Sequence, residues 1–197
     1  MVEFWIFKRK SKKQLISQYI LEPLNEAYTM IKQDKRMVYC DENTITQRLA
    51  WYLSRYTSLS HLFLKNAAHV VLRPKEQYSI DEVYEPDIKI MVRGIWMEIE
   101  SKRIHEKNRW SISEYLSRKR GIGKFLWGVY SHNDHGGMIG YIQRGDFDTI
   151  VCKIKTGLLN MNCTKSVDMK IENCVLTIHY RSDKDDIKIY HLFFYFS

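Results

Sequence analysis

The most regular hydrophobic pattern of the chain lies in residues 85–103, where apolar and polar positions alternate in two runs around a turn signal at residues 93–94. This period of two predicts a β-hairpin with one apolar face, because successive strand side chains point to opposite sides of a sheet. The other face carries ionisable residues, which are Glu98, Glu100 and Lys102 in the second run and Asp87 at the start of the first. The hairpin therefore gathers acids and a lysine on one surface.

The patterns around this hairpin predict an α/β domain. Apolar residues at helical spacing predict a helix over residues 12–35, which Pro23 is expected to kink or divide, and another over 41–56. A strand at 67–72 precedes the hairpin, which gives three consecutive antiparallel strands. The spacing of Ser111 and Glu114 is that of a capping box, so a helix starts there and Gly121 ends it.

The rest of the chain continues the mixture of helices and strands. The Gly-Gly pair at 136–137 indicates a loop, and the following patterns predict a strand at 138–143, a helix at 148–159 and a hairpin of 174–180 with 187–196. The last strand is strongly apolar, which predicts a sheet edge that a partner chain covers. With no linker that would divide the chain, we expect a single domain over residues 1–197.

The ionisable residues of the first hairpin carry a resemblance. Pro86-Asp87, followed on the next strand by Glu100-Ser101-Lys102, resembles the PD-(D/E)XK motif of restriction-endonuclease-like nucleases. Similar acid-x-lysine triplets occur at 87–89, 168–170 and 186–188, but only the triplet that ends at Lys102 follows a Pro-Asp across a hairpin. The alternative interpretation is a surface hairpin with cross-strand Glu/Lys pairs, which contribute little stability.

The resemblance implies a fold and a reaction. The fold is a restriction-endonuclease-like α/β core over about 42–143, in αβββαβ order, with a central mixed β-sheet flanked by helices. Residues 1–40 form an N-terminal helical addition, and residues 144–197 add a helix and a hairpin. The reaction is Mg²⁺-dependent hydrolysis of DNA phosphodiester bonds by an endonuclease, with Mn²⁺ as a substitute and with 5′-phosphate and 3′-hydroxyl products. Carboxylates suit this role because hard divalent cations prefer oxygen ligands.

The resemblance also assigns roles to residues. Asp87, Glu100 and the carbonyl of Ser101 would hold the metal, and Lys102 would position or deprotonate the attacking water. Glu42, at the start of the predicted 41–56 helix, is the candidate for a glutamate that the first core helix contributes in many such nucleases. Glu98 would support the site or partly replace Glu100.

Charge points to a polyanionic partner. Lys and Arg number 31 against 23 Asp and Glu, a formal net charge of +8, which favours nucleic acid or an anionic membrane surface. The glycine-containing basic run at 118–124 lacks P-loop spacing, so its cations are candidates for contacts with DNA phosphates: Arg118, Lys119, Arg120 and Lys124. The alternative for this run is a solvated cluster of charges.

The remaining features bound the class of protein. No segment is apolar enough to span a bilayer, and the N-terminus lacks the order of a secretory signal, so we expect a cytoplasmic protein. Four widely spaced cysteines indicate reduced thiols rather than a zinc site. Without a recognisable DNA-reading module, the chain is expected to act as a homodimer or as the nuclease subunit of a larger complex, in restriction or defence against foreign DNA. A structure-selective nuclease such as a junction resolvase, and a non-catalytic nucleic-acid-binding or assembly module, are the alternatives.

Overall fold

The computed structural model describes residues 10–73, 76–77, 83–106, 109–127, 130, 134–181 and 184–196. Helix α1 consists of the successive segments Lys12–Ile16, Ser17–Leu21 and Glu22–Ile31, and a 3₁₀ turn at Lys35–Tyr39 separates it from α2 (Glu42–Tyr56) and α3 (Ser60–Leu64). The next elements are β1 (Ala68–Leu72), β2 (Glu76–Gln77), β3 (Val83–Tyr84), β4 (Ile88–Val92), β5 (Ile95–His105), α4 (Arg109–Tyr115) and α5 (Gly123–Leu126). The last are β6 (His135–Arg144), α6 (Phe147–Leu159), β7 (Cys163–Asp168), β8 (Cys174–Arg181) and β9 (Lys184–Tyr195).

A seven-stranded mixed sheet forms the centre of the molecule, in the order β1-β4-β5-β6-β9-β8-β7. Strands β1, β4 and β5 are antiparallel neighbours, as predicted. Strand β6 runs parallel to both β5 and β9, and β9, β8 and β7 are antiparallel. The predicted mixed α/β architecture, with helices flanking the sheet, is confirmed.

Two apolar cores cover the two faces of the sheet. One core packs α1 and α2 onto the sheet through residues such as Leu24, Leu49 and Ile99. The other packs α6 and the α4–α5 segment onto the opposite face, with Ile104 and Ile150 among its members. Strand β5 contributes to both cores because its side chains alternate between them, and burial of each such aliphatic side chain stabilises the fold by about 1.5–3 kcal/mol.

Pro23 neither divides α1 nor ends it. The segment Ser17–Leu21 before it is π-helical, and the N–H of Glu22 donates to the carbonyl of Ser17. A wider turn at this point accommodates the ring and the missing N–H of proline, which an α-helical turn would not. The helix ends at Ile31 rather than at residue 35, because Asp34 accepts a hydrogen bond from the N–H of Arg36 and begins the 3₁₀ turn.

Two predicted boundaries between α4 and β6 are wrong. Helix α4 ends at Tyr115, not at Gly121, because the chain turns there and the N–H of Ile122 donates to the Tyr115 carbonyl. The predicted loop at 136–137 belongs to β6, which begins at His135. A side chain at Gly136 would put a Cβ 2.5 Å from the Phe125 ring, so glycine serves close packing here rather than a turn.

The C-terminal hairpin is confirmed as β8 and β9, but the prediction that its last strand is a sheet edge is wrong. Strand β9 lies between β6 and β8, inside the sheet. The strand that the sequence did not reveal, β7, pairs with β8 and forms the edge in its place. The apolar character of β9 therefore reflects burial of both its faces, and it carries no indication of a partner chain.

None of the helices in the described ranges has the length and apolar content that a bilayer-spanning helix requires. All four cysteines carry free thiols.

A buried chain of hydrogen bonds joins α4 to the sheet. The Met161 carbonyl can only accept, so Nδ1 of His179 donates to it (2.8 Å). Nε2 of His179 then accepts from the Thr177 hydroxyl, and that oxygen accepts from Nε2 of His191, each at 2.8 Å. Nδ1 of His191 is left to accept from the Tyr115 hydroxyl, also at 2.8 Å. Both rings are therefore neutral, with every polar atom satisfied.

This network predicts a loss of stability in mild acid. Burial lowers the pKa of both His179 and His191, as it does that of His135, so the unfolded chain binds protons below pH 6.5 that the folded protein cannot. The free energy of unfolding should be fully developed above pH 6.5. Below pH 6.5 it should fall by about 1.4 kcal/mol per pH unit for each such histidine.

Urea denaturation between pH 7.5 and 5 measures this slope. His191→Gln should make the slope shallower by removing one titrating group. A wild-type stability that stays constant down to pH 5 would contradict the assignment of neutral buried rings.

Candidate metal centre and active site

The β4–β5 hairpin brings Asp87 against the end of β5. Asp87 directly precedes β4, and its Oδ2 accepts hydrogen bonds from the Ser101 backbone N–H (2.7 Å) and hydroxyl (2.8 Å). Two donors on one oxygen fix the orientation of the carboxylate. Asp87 therefore stands beside the Glu100-Ser101-Lys102 segment, as the predicted hairpin requires.

Glu100 is a buried carboxylate with three donors. Its side chain is only 3% exposed, and Oε1 accepts from Nζ of Lys102 at 2.9 Å and from Nζ of Lys124 at 2.7 Å. Oε2 accepts from the Tyr130 hydroxyl at 2.8 Å. Two ammonium groups and a hydroxyl replace the water shell that this carboxylate loses on burial.

The ammonium of Lys102 lies where three oxygen atoms converge. Besides Glu100, Nζ donates to the Ser101 carbonyl at 2.6 Å and lies 3.5 Å from Oε1 of Glu42. Burial by itself would lower the pKa of Lys102, but the attraction of Glu100 and Glu42 outweighs it and the pKa is raised. Lys102 is therefore an ammonium at neutral pH.

Glu42 approaches the Lys102 ammonium from helix α2. It is the first residue of α2, after Asp41, whose side chain caps the helix by accepting from the Thr44 N–H. Its Oε2 accepts from the N–H of Arg103 at 2.8 Å, so the start of α2 is attached to β5. Burial raises the pKa of Glu42 more than Lys102 lowers it. The structure therefore places Glu42 beside the β4–β5 hairpin.

A second layer of polar groups holds the Ser101 side chain. Its hydroxyl is 3.1 Å from that of Thr46, which in turn is 3.0 Å from the Tyr141 hydroxyl. All three are buried. Thr46 follows Glu42 by one helical turn, so the helical period could have placed it near the site. No comparable signal marks Tyr141.

The basic residues of 118–124 separate into two groups. Arg118, Lys119 and Arg120 are exposed; Arg118 lies over the Trp127 ring at 4.4 Å and Arg120 lies 3.8 Å from Glu114. Lys124 instead points into the candidate centre, where it contacts Glu100 and the Tyr130 hydroxyl, the latter at 2.7 Å. Sequence reasoning missed this role of Lys124, and it missed Tyr130 altogether.

Glu98 lies two residues before Glu100 on the same strand face, but its surroundings differ. It is opposite Lys89 in the β4–β5 pairing, with Nζ 3.9 Å from Oε1. The Lys89 ammonium also lies over the Trp96 ring at 5.6 Å. The alternative of a cross-strand Glu/Lys pair thus describes Glu98 and Lys89, whereas Glu100 has the buried, three-donor environment given above.

The oxygen atoms around Lys102 are of the kind that bind Mg²⁺, but they stand wider apart than a bound ion requires. Glu100, Ser101 and Glu42 each place one oxygen within 3.5 Å of Nζ, whereas Mg²⁺ needs about 2.1 Å. Among the described residues, no three His, Cys, Asp or Glu side chains form a metal site by themselves. A divalent cation would have to draw these oxygens inward and displace the ammonium of Lys102.

No protein-family model matches the chain, and neither a curated protein nor a solved structure matches it. The assignment of a function therefore depends on the geometry of these side chains.

Proposed function

We propose that the protein is a metal-dependent DNA endonuclease of the PD-(D/E)XK type. The observation that carries the proposal is the convergence of Glu100, the Ser101 carbonyl and Glu42 on one cationic group, with Asp87 bonded alongside. These residues lie at the start of α2 and on the β4–β5 hairpin. The order of α2, the antiparallel strands β1, β4 and β5, the α4–α5 segment and β6 parallel to β5, with α3, β2 and β3 as short additions, supports a restriction-endonuclease-like core over about 42–143.

The donor set suits Mg²⁺, or Mn²⁺ in its place, which would activate a water molecule and offset charge on the phosphate. Asp87, Glu100, Glu42 and the Ser101 carbonyl would hold the ion. Lys124 and Tyr130 keep the Glu100 carboxylate oriented through their hydrogen bonds.

Lys102 has the chemistry for two successive tasks. As an ammonium it stabilises negative charge that builds on a phosphate. Its pKa is high because Glu100 and Glu42 face it, and a cation held by those carboxylates would remove the cause of the raised pKa. Lys102 would then be able to accept a proton from water.

The proposed substrate is DNA. The net charge of +8 and the exposed Arg118, Lys119 and Arg120 favour a phosphate backbone as partner. We further propose that cutting requires a homodimer or a partner subunit, and that restriction or defence against foreign DNA is the setting.

A non-catalytic nucleic-acid-binding module is the second candidate, and one observation favours it. Lys102 and Lys124 already supply counterions to the buried Glu100 carboxylate, so these three residues also form a structural ion-pair cluster.

Cleavage of end-labelled oligonucleotides decides between the two. Linear duplex, single-stranded and four-way-junction DNA are incubated with the protein in Mg²⁺, in Mn²⁺ or in chelator. The proposal expects cleavage in either metal and none in chelator, with faster cutting of junctions if the enzyme is structure-selective. Salt-sensitive binding without cleavage of any substrate would establish the binding module instead.

A further inference from the structure

The solvent face of α2 carries a stripe that the candidate active site does not use. Thr44, Arg48, Trp51 and Arg55 follow one another at intervals of four, three and four residues, so they share one side of the helix. Trp51 is 43% exposed at the middle of this stripe. An indole that is partly exposed to solvent, with Arg48 and Arg55 along the same side of the helix, is typical of a binding surface rather than of a core.

Neighbouring side chains hold the Trp51 ring in place. The Arg55 guanidinium lies 5.2 Å from the ring centroid, and the rings of Tyr52 and Tyr56 lie 4.9 and 5.1 Å away. Contacts on several sides restrict the rotamers of Trp51 before anything binds. A rigid aromatic side chain loses little conformational entropy when a ligand stacks on it.

A groove of about 600 Å³ lies between this stripe and strand β1, which is an edge of the sheet. Its polar lining includes Gln47, Ser54, Asn66 and His69, and a smaller groove continues past Trp51 to Arg48. None of the residues that line the two grooves is acidic. The Arg48 guanidinium lies 3.5 Å from the Asp34 carboxylate.

The stripe starts close to the candidate active site, because Thr44 lies two residues after Glu42, the first residue of α2. Glu42 and Trp51 are nine positions apart, a rise of about 14 Å along the helix axis that equals about four stacked nucleotides, and with 3.6 residues per turn they point to opposite sides of α2. Arg73, at the end of β1, donates to the Asn43 side chain at the same end of the helix. Cations therefore accompany the groove from Arg55 to the candidate centre.

We propose that this groove binds a single-stranded segment of the DNA substrate, with one base stacked on Trp51 and phosphates at Arg48 and Arg55. Guanidinium groups fit phosphates, and stacking on an aromatic ring needs a base face that a duplex keeps covered. The inference deepens the proposed function: DNA as substrate rests on that function, and the single-stranded segment rests on the groove.

The experiment measures fluorescence anisotropy of a labelled dT oligonucleotide and of a duplex of equal length, in chelator, over a range of salt concentrations. Trp51→Ala should weaken single-strand binding about 5- to 150-fold, the effect of losing one stacked base, and leave duplex binding unchanged. Trp51→Phe should restore part of the affinity. Arg48→Gln and Arg55→Gln should each reduce the salt dependence by about one phosphate contact.

Tyr180→Ala is the matched control, because Tyr180 is an aromatic side chain of β8 with 55% exposure and lies outside the groove. It should leave both affinities unchanged. Equal single-strand affinity of Trp51→Ala and wild type would overturn the inference, as would a change of oligomeric state in Trp51→Ala, which would show that a second copy covers the groove.

The two proposals fail separately. If Trp51→Ala binds single-stranded DNA as tightly as the wild type, and the protein cleaves DNA with Mg²⁺, the groove proposal is refuted and the nuclease proposal stands. If Trp51→Ala weakens single-strand binding but the protein cleaves no DNA, the nuclease proposal is refuted and the groove proposal stands.

Discussion

Lys102→Met is expected to lower the rate of metal-dependent DNA cleavage by about 10²- to 10⁴-fold, the usual contribution of a positioned acid–base group. The substitution removes the ammonium that contacts Glu100, the Ser101 carbonyl and Glu42, and it keeps most of the stem. DNA affinity should be unchanged, because the exposed cations remain. Single-turnover cleavage and anisotropy, measured on the same preparations, test both statements.

Lys89→Met is the matched control for this substitution. Lys89 is a half-buried lysine on the neighbouring strand that contacts Glu98 at 3.9 Å, outside the convergence of oxygen atoms around Lys102. It should cleave DNA at the wild-type rate. Equal loss of cleavage in both variants, or unfolding of Lys102→Met alone, would mean that Lys102 belongs to a structural ion pair.

Glu100→Gln is expected to abolish the response to metal and to reduce the free energy of unfolding by about 3–5 kcal/mol, as breaking a buried ion pair does. Lys102 and Lys124 both contact Oε1 of Glu100, so a neutral amide leaves two neighbouring ammonium groups without their shared counterion. Urea denaturation gives the stability. The shift of the melting temperature with added Mn²⁺ gives the metal response.

Glu98→Gln removes a carboxylate from the same strand face, so it shows whether the effect of Glu100→Gln depends on the position of the lost charge. Glu98 is also buried, but its ion pair with Lys89 is longer, at 3.9 Å. The variant should lose less stability than Glu100→Gln and keep the response to Mn²⁺. If Glu98→Gln abolished that response and Glu100→Gln kept it, the assignment of Glu100 as the ligand would be wrong and Glu98 would replace it.

The sequence predicted the parts of the site that depend on local periodicity. A period of two and a short turn are enough to bring Asp87 beside Glu100 and Lys102. The placement of Glu42 nearby came from the resemblance to nucleases and not from a local period. Lys124, in the four-residue helix α5, and Tyr130 lie 24 and 30 residues after Glu100, where no period of the sequence specifies the direction of a side chain. Only tertiary packing brings them to Glu100.

The same physics explains the errors in the fold. Strand β7 reads CTKSVD, mostly exposed and polar, so an edge strand there leaves little hydrophobic pattern to detect. Gly136 and Gly137 resemble a loop by composition, yet they lie in β6 because Phe125 and the side chains of β5 pack where their Cβ atoms would be. A glycine pair in the sequence does not reveal whether a turn or close packing requires it.

Conversion of supercoiled plasmid to nicked and linear DNA tests the central claim most directly. Wild-type protein and Lys102→Met, purified in parallel, are incubated with plasmid in Mg²⁺, Mn²⁺ or chelator, and the product ends are analysed. Nicking by wild type in either metal, with 5′-phosphate ends, and its loss in chelator and in Lys102→Met, is the predicted result. No nicking by the wild type in either metal, or equal nicking by both proteins, would contradict a nuclease centred on Lys102.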